Sequence, residues 1–89
     1  MDNEKSMTYK ESDIEMILNI HYNRAISYAK LGRLYIEQRK SKDKIRENLQ
    51  KAMDDISIVI ENTKDNETKA NALYLKGTLF AVNAELCEK

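Results

Sequence analysis

The sequence predicts an all-α fold, an antiparallel up-down-up bundle of three long helices. The 89 residues contain no Pro and only two Gly, the two residue types that disfavour helix interiors most strongly. Apolar residues also recur at intervals of three and four, which is the spacing of a helix with one buried face. A chain of this length forms one small domain at most, so residues 1–89 are expected to be a single helical-bundle domain.

The first helix is predicted to span about residues 13–40. Ser12 and Glu15 have the spacing of a capping box, in which a hydroxyl and a carboxylate bond to backbone N–H groups at the helix start. The preceding segment, residues 1–11, carries charges of both signs and is expected to be a flexible, disordered arm. The apolar stripe of this helix consists of Ile14, Leu18, Ala25, Tyr28 and Tyr35.

The second helix is predicted over about residues 43–63, with Ser41 or Asp43 as its N-cap. The connections near residues 40–43 and 63–66 are short, so neighbouring helices are expected to run antiparallel. This helix is clearly amphipathic. Its stripe consists of Ile45, Leu49, Ala52, Ile56, Val59 and Thr63.

The third helix, predicted over about residues 66–88, contains two apolar series instead of one. Asp65 or Asn66 is expected to cap its start. The two series are offset by two residues, which is about 200° around a helix, so they lie on nearly opposite faces. One series is Ala70, Leu73, Gly77, Phe80, Ala84 and Cys87, and the other is Ala72, Leu75, Leu79, Val82 and Leu86.

With only two other helices in the chain, one face of the third helix is left poorly covered. Either this helix is central and packed on two sides, or its second series meets another polypeptide. The first helix also carries apolar residues that lie off its main stripe. The residues predicted to bind a protein partner, or a second copy in a homodimer, are Ile20, Leu31, Leu34, Leu75, Leu79, Val82 and Leu86.

The charge balance and the cysteine count exclude several function classes. Fifteen basic and fifteen acidic residues give no net charge, which offers no long-range attraction to nucleic acid. No stretch reaches the roughly 18 to 20 apolar residues that span a membrane, and the charged N-terminal residues do not form a signal peptide. A single Cys suits a reducing compartment. We therefore expect a cytoplasmic protein that binds neither nucleic acid nor membrane.

The sequence contains no pattern for catalysis, and we expect no enzyme activity, no cofactor and no metal site. His21 has no second ligand at metal-binding spacing and is expected to be partly buried and hydrogen-bonded. Asp54 and Asp55 point about 100° apart and are placed on the solvated face of the second helix. Gly32 and Gly77 stand inside helical patterns, where each is expected to allow a close helix crossing.

Three segments of the chain, residues 22–26, 48–56 and 70–86, resemble segments of the FliS-type flagellin export chaperones. Tyr22-Asn23-Arg24-Ala25-Ile26 is similar to the Leu-Tyr-Asp-Gly-Ala-Ile segment of that family, with Asn23 and Arg24 in place of Asp-Gly. Residues 48–56 are similar to the second long helix of the family, which carries Lys-Ala followed by an acidic residue and Ile. Residues 70–86 look like its Ala-x-Asn-Leu segment together with the helix that continues from it. The resemblance covers about residues 13–86 in order.

This resemblance implies a cytosolic helical chaperone that binds the C-terminal segment of flagellin, prevents premature polymerisation and assists export. The amphipathic helices of the partner would then lie in apolar grooves of the bundle.

Two other interpretations remain open. The spacing of Tyr28, Leu31, Gly32 and Tyr35 matches the first half of a tetratricopeptide repeat, and Gly77 with Phe80 echoes it. Gly32 and Gly77 are 45 residues apart, however, whereas that repeat runs 34. The chain could also be a self-associating structural or regulatory bundle whose spare apolar surface is buried in a homodimer.

Overall fold

The structure is a computed structural model that describes residues 11–88, with side chains from Ser12 to Leu86. It contains three α-helices: α1 (Glu11–Glu37), α2 (Lys42–Asn62) and α3 (Asn66–Glu88). The predicted all-α bundle is confirmed. The predicted disordered arm lies outside the described residues, except for Glu11, which belongs to α1.

The middle helix, α2, is the centre of the bundle. Both α1 and α3 pack along α2, whereas α1 and α3 scarcely touch each other. Because each connection is short, each helix runs antiparallel to the one before it, and α1 and α3 therefore run in the same direction. The alternative in which the third helix is central is wrong: α2 is the helix covered on two sides.

The core lies along the apolar stripe of α2 and the faces that α1 and α3 turn toward it. Ile56, Val59 and Leu79 are the largest side chains in it that are fully buried, and burying a side chain of this size contributes about 1.5–3 kcal/mol. The buried core consists of Ala25, Ile45, Leu49, Ala52, Ile56, Val59, Ala72, Leu79 and Leu86.

The end of α1 is set by a backbone turn that the apolar pattern does not reveal. The helix ends at Glu37, about three residues before the predicted end, because Arg39 adopts a left-handed conformation with φ of 57°. The N–H of Arg39 donates to the carbonyl of Ile36 at 3.0 Å, and that of Lys40 donates to Tyr35 at 2.9 Å. These two bonds form a Schellman motif, in which Gly is the usual left-handed residue.

The starts of α2 and α3 follow the predicted capping residues. Ser41 caps α2, and its hydroxyl accepts a hydrogen bond from the N–H of Lys44 at 3.3 Å. Asp65 caps α3 by accepting from the backbone N–H of Thr68 at 2.9 Å and from its hydroxyl at 2.6 Å. These bonds hold the pKa of Asp65 below its usual range. Both caps satisfy N–H groups that the helices leave unpaired.

The predicted capping box at the start of α1 is wrong. Glu11 and Ser12 already belong to the helix, so Ser12 does not precede it. The carboxylate of Glu15 instead accepts from the hydroxyl of Thr63 at 2.7 Å and from the N–H of Lys64 at 3.0 Å. Glu15 therefore ties α1 to the connection between α2 and α3.

The two glycines have different roles. Gly32 is buried, and a Cβ added there would lie 2.9 Å from Cδ2 of Leu49, so Gly32 does allow the predicted close crossing of α1 and α2. A Cβ added at Gly77 would meet no atom within 4 Å. The prediction for Gly77 is therefore wrong, because its face of α3 is exposed.

Candidate functional site: an apolar groove between α1 and α3

A groove runs between α1 and α3, because these helices pack on α2 without closing on each other. The main hollow in this groove has a volume of about 280 Å³. The nearly buried Leu49 of α2 and Leu79 of α3 form its floor. The hollow is lined by Ile26, Ala29, Lys30, Arg33, Leu49, Tyr74, Leu75, Thr78, Leu79 and Val82.

The groove continues toward the C-terminal ends of α1 and α3. A second, smaller hollow of about 70 Å³ is lined by Ile36, Val82, Glu85 and Leu86, and Val82 is shared with the first. From Ile26 to Ile36, α1 rises by about 15 Å, which is close to three helical turns. An apolar groove of this length suits the apolar face of a helix, which presents anchors over two or three turns.

Four of the seven residues predicted to bind a partner lie on this side of α3. Leu75 and Val82 are partly buried and line the groove. Leu79 and Leu86 are 2% and 9% exposed, and both belong to the core. Their side chains pack within the chain, and they also border the two hollows of the groove, so partner binding by these two residues stays a prediction.

The other three predicted residues lie on a different surface. With Leu18 facing the core, helical geometry places Ile20 and Leu34 about 160° away, on the outer side of α1. Ile20 is 61% exposed and Leu34 is 44% exposed, while Leu31 is partly buried. None of the three lines the groove, so the structure does not bring the seven residues together.

The α1 wall of the groove was not predicted from the sequence. A signal was present, because Ile26, Ala29, Arg33 and Ile36 recur at intervals of three, four and three. This series can be recognised as a surface only once it is known that the side of α1 next to its main stripe is not covered by another helix.

The structure shows which of the two apolar series of α3 is buried and which is exposed. The second series packs on α2, whereas Leu73 and Phe80 of the first are 51% and 57% exposed. The second series carries four large aliphatic side chains, and the first carries only these two large residues among small ones. Packing the second series therefore buries more apolar area, which favours the observed orientation.

An ion cluster centred on the buried Asp55 joins α1 to α2 on the side away from the groove. Arg24 Nε donates to Asp55 Oδ2 and Nη2 donates to Oδ1, each at 2.7 Å. His21 Nδ1 donates to Asp55 Oδ1 at 3.0 Å. The Arg24 guanidinium lowers the pKa of Asp55; burial opposes this effect and the bond from His21 adds to it. Asp55 is thus ionised at neutral pH and bonded to both partners.

The prediction of a solvated face is wrong for Asp55, which is 4% exposed, whereas Asp54 is exposed as expected. The phase contained the signal, since Asn48, Ala52, Asp55 and Val59 recur at intervals of four, three and four. His21 is partly buried and hydrogen-bonded, as predicted. The cluster ties α1 to α2, because His21 and Arg24 of α1 both donate to Asp55 of α2.

Within the described part of the chain, no three His, Cys, Asp or Glu side chains are grouped so that they could hold a metal ion. No helix between residues 11 and 88 has the length and apolar character needed to cross a bilayer. Comparison with known proteins found no matching family model, no matching curated protein and no matching solved structure.

Proposed function

We propose that this chain is a non-enzymatic, cytoplasmic chaperone that holds an amphipathic helix of an export substrate in the groove between α1 and α3. The observation that carries the proposal is the groove itself. Its apolar walls belong to two parallel helices that scarcely touch each other. A fourth helix laid between them would complete a four-helix bundle, the arrangement that buries apolar stripes on neighbouring helices.

The resemblance to the FliS-type chaperones supports flagellin as the substrate. Its residues lie close to the groove as well as in the core: Ile26 lines the α1 wall, and Leu75, Leu79 and Val82 lie within the third similar segment. The resemblance implies that the bound segment is the C-terminal part of flagellin. Covering that segment would prevent premature polymerisation.

The test is binding of a flagellin C-terminal fragment, measured by light scattering and by thermal melting. We expect a 1:1 complex with a raised Tm, because a ligand that binds only the folded state stabilises it by mass action. Absence of a complex with the fragment refutes flagellin as the substrate. If no other amphipathic helical peptide binds either, the helix-binding function is refuted.

Two matched variants locate the site. Ile26→Asp places a charge in the groove wall and is expected to abolish binding, since an unpaired charge in an apolar interface is costly. Leu34→Asp places the same charge on the outer face of the same helix and is expected to leave binding unchanged. Circular dichroism and melting establish that both variants fold. Equal loss of binding in both contradicts the assignment of the groove.

A second candidate function, self-association, is favoured by the exposed apolar face of α3. Leu73 and Phe80 are seven residues apart and more than half exposed, so they lie on one side of the helix. A homodimer through this face would melt at a temperature that rises with protein concentration in the absence of any peptide. Phe80→Asp would make the Tm of such a homodimer independent of protein concentration. If the wild type is a monomeric chaperone, its Tm does not depend on concentration at all.

A further inference from the structure

The rim of the groove carries positive charge on its α1 side. Lys30 and Arg33 are exposed, stand three residues apart and both line the main hollow. Residues with this spacing are neighbours on a helix surface. Neither side chain forms a salt bridge with a carboxylate in the described part of the chain. Two cations therefore flank an apolar groove, and neither is paired with a carboxylate of residues 11–88.

The α3 side of the rim differs in charge. Beside the main hollow it presents Tyr74, which is 80% exposed, and Thr78, whose hydroxyl donates to the carbonyl of Tyr74 at 3.0 Å. Farther along, the second hollow is bordered by the carboxylate of Glu85. Beside the main hollow the rim is thus basic on its α1 side and neutral on its α3 side, and beside the second hollow it is acidic on its α3 side.

We propose that the groove selects an amphipathic helix with acidic residues on the flank that faces α1, placed three or four positions apart beside its apolar stripe. This inference rests on the proposed function and names the chemistry of its partner. The apolar stripe covers Leu75, Val82 and Ile26. The acidic flank meets Lys30 and Arg33, and the opposite flank, which approaches Glu85, is neutral or basic. Complementary charges of this kind set the orientation of a bound helix and reject wrong partners.

The expected size of the selectivity follows from the exposure of the two cations. An exposed ion pair changes an affinity by about 1.4- to fivefold, so two pairs give a preference of roughly 2- to 25-fold. The preference decreases as ionic strength rises, because the pairs are open to solvent and are screened within about 10 Å at 0.1 M salt.

The experiment uses three synthetic helical peptides of equal length with the same apolar stripe. At the two flank positions the first carries Glu, the second Gln and the third Lys. Binding to the full chain is measured by titration at low and high salt. We expect the Glu peptide to bind most tightly and the Lys peptide most weakly, with the differences reduced at high salt.

Two double variants provide the controls. Lys30→Gln with Arg33→Gln is expected to bind all three peptides with similar affinity. Lys40→Gln with Lys42→Gln removes two exposed cations, one from the connection between α1 and α2 and one from the first residue of α2. This variant is expected to keep the preference for Glu. All four positions are exposed, and circular dichroism verifies that the variants fold.

The outcomes separate the two proposals. If the Glu and Gln peptides bind the wild type equally tightly, the acidic partner is refuted and the helix-binding groove stands. If the preference for Glu survives in the Lys30 and Arg33 variant, it has another source and the inference is overturned. If none of the three peptides binds, the proposed function and the inference both fail.

Discussion

Replacing Asp55 by Asn tests whether the ion cluster around this buried carboxylate stabilises the packing of α1 on α2. The substitution preserves the shape of the side chain and removes its charge. The carboxylate accepts two bonds from Arg24 and one from His21. In Asp55→Asn, the new NH2 group faces donors that it cannot accept from.

The expected loss can be worked from the geometry. Hydrogen bonds to charged groups contribute about 1.5–3 kcal/mol each when buried. The Arg24 side chain is 54% exposed and can regain hydration in the variant, so the loss falls well below the sum of the three bonds. We expect Asp55→Asn to lower the free energy of unfolding by about 2 kcal/mol. For a domain of this size the Tm would fall by roughly 8–16 °C.

The pH dependence gives a second, independent readout. The folded-state pKa of Asp55 lies below its ordinary value, with the Arg24 hydrogen bond as the main cause. Its contribution is therefore fully present above the unfolded-state pKa, which is about 3.9, and is lost as the pH falls from there through the folded-state pKa. The difference in stability between wild type and Asp55→Asn should shrink as the pH falls from about 4 through the folded-state pKa of Asp55.

The assay is urea unfolding followed by circular dichroism at several pH values. Asp54→Asn is the matched control, because Asp54 is exposed and accepts a single bond from Gln50 at 2.8 Å. Its stability is expected to change by no more than about 0.5 kcal/mol. Equal effects of the two substitutions, or a difference that persists undiminished at the acid end of the series, would refute the role given to the cluster.

The remaining predictions concern backbone positions and the two faces of α3. Gly77→Ala should stabilise the fold by about 1 kcal/mol, because it improves helix propensity in open space. Gly32→Ala should lose that gain to crowding, because its Cβ would lie 2.9 Å from Cδ2 of Leu49, a buried side chain with little room to move. We expect Gly32→Ala to be less stable than Gly77→Ala by at least about 1 kcal/mol, and equal urea midpoints for the two variants would contradict the different packing of the two glycines. Arg39→Gly should raise stability by about 0.5–1 kcal/mol by relieving a positive φ, and a lowered Tm would argue against the left-handed turn. Leu79→Ala should cost about 2–5 kcal/mol, and Phe80→Ala far less, by urea unfolding; the reverse order would show that the faces of α3 are assigned the wrong way round.

The first residues of α2 and α3 could be predicted closely, because a polar N-cap residue bonds to an N–H group only a few positions farther along the chain. Ser41 and Asp65 each satisfy an N–H group three residues ahead, and this is local chemistry. The end of α1 could not be predicted in the same way. It depends on Arg39, a residue type that seldom adopts a left-handed conformation, and no Gly marks the turn.

The candidate site could be predicted only in part. The sequence pointed to the side of α3 that contains Leu75 and Val82, and these residues do line the groove. It did not point to Ile26 or to the basic pair on α1, because those residues become one wall only when α1 lies beside α3. The prediction that Asp55 lies on the solvated face of α2 is wrong for a related reason. From the sequence alone, an acidic residue at a buried position looks like an acidic residue on the surface until its partners on another helix are known.

The sequence by itself determined the three helices, their antiparallel order and the stripe of α2, because capping and helical periodicity are properties of neighbouring residues along one chain. Only the tertiary structure decided which helix is central, which face of α3 is buried and where a groove is left open. Those features depend on how much apolar area each pair of helix faces buries and on where two helices can approach closely, as Gly32 does with Leu49. Periodicity predicts which residues share a face of a helix, but only the packing of the helices determines what that face contacts.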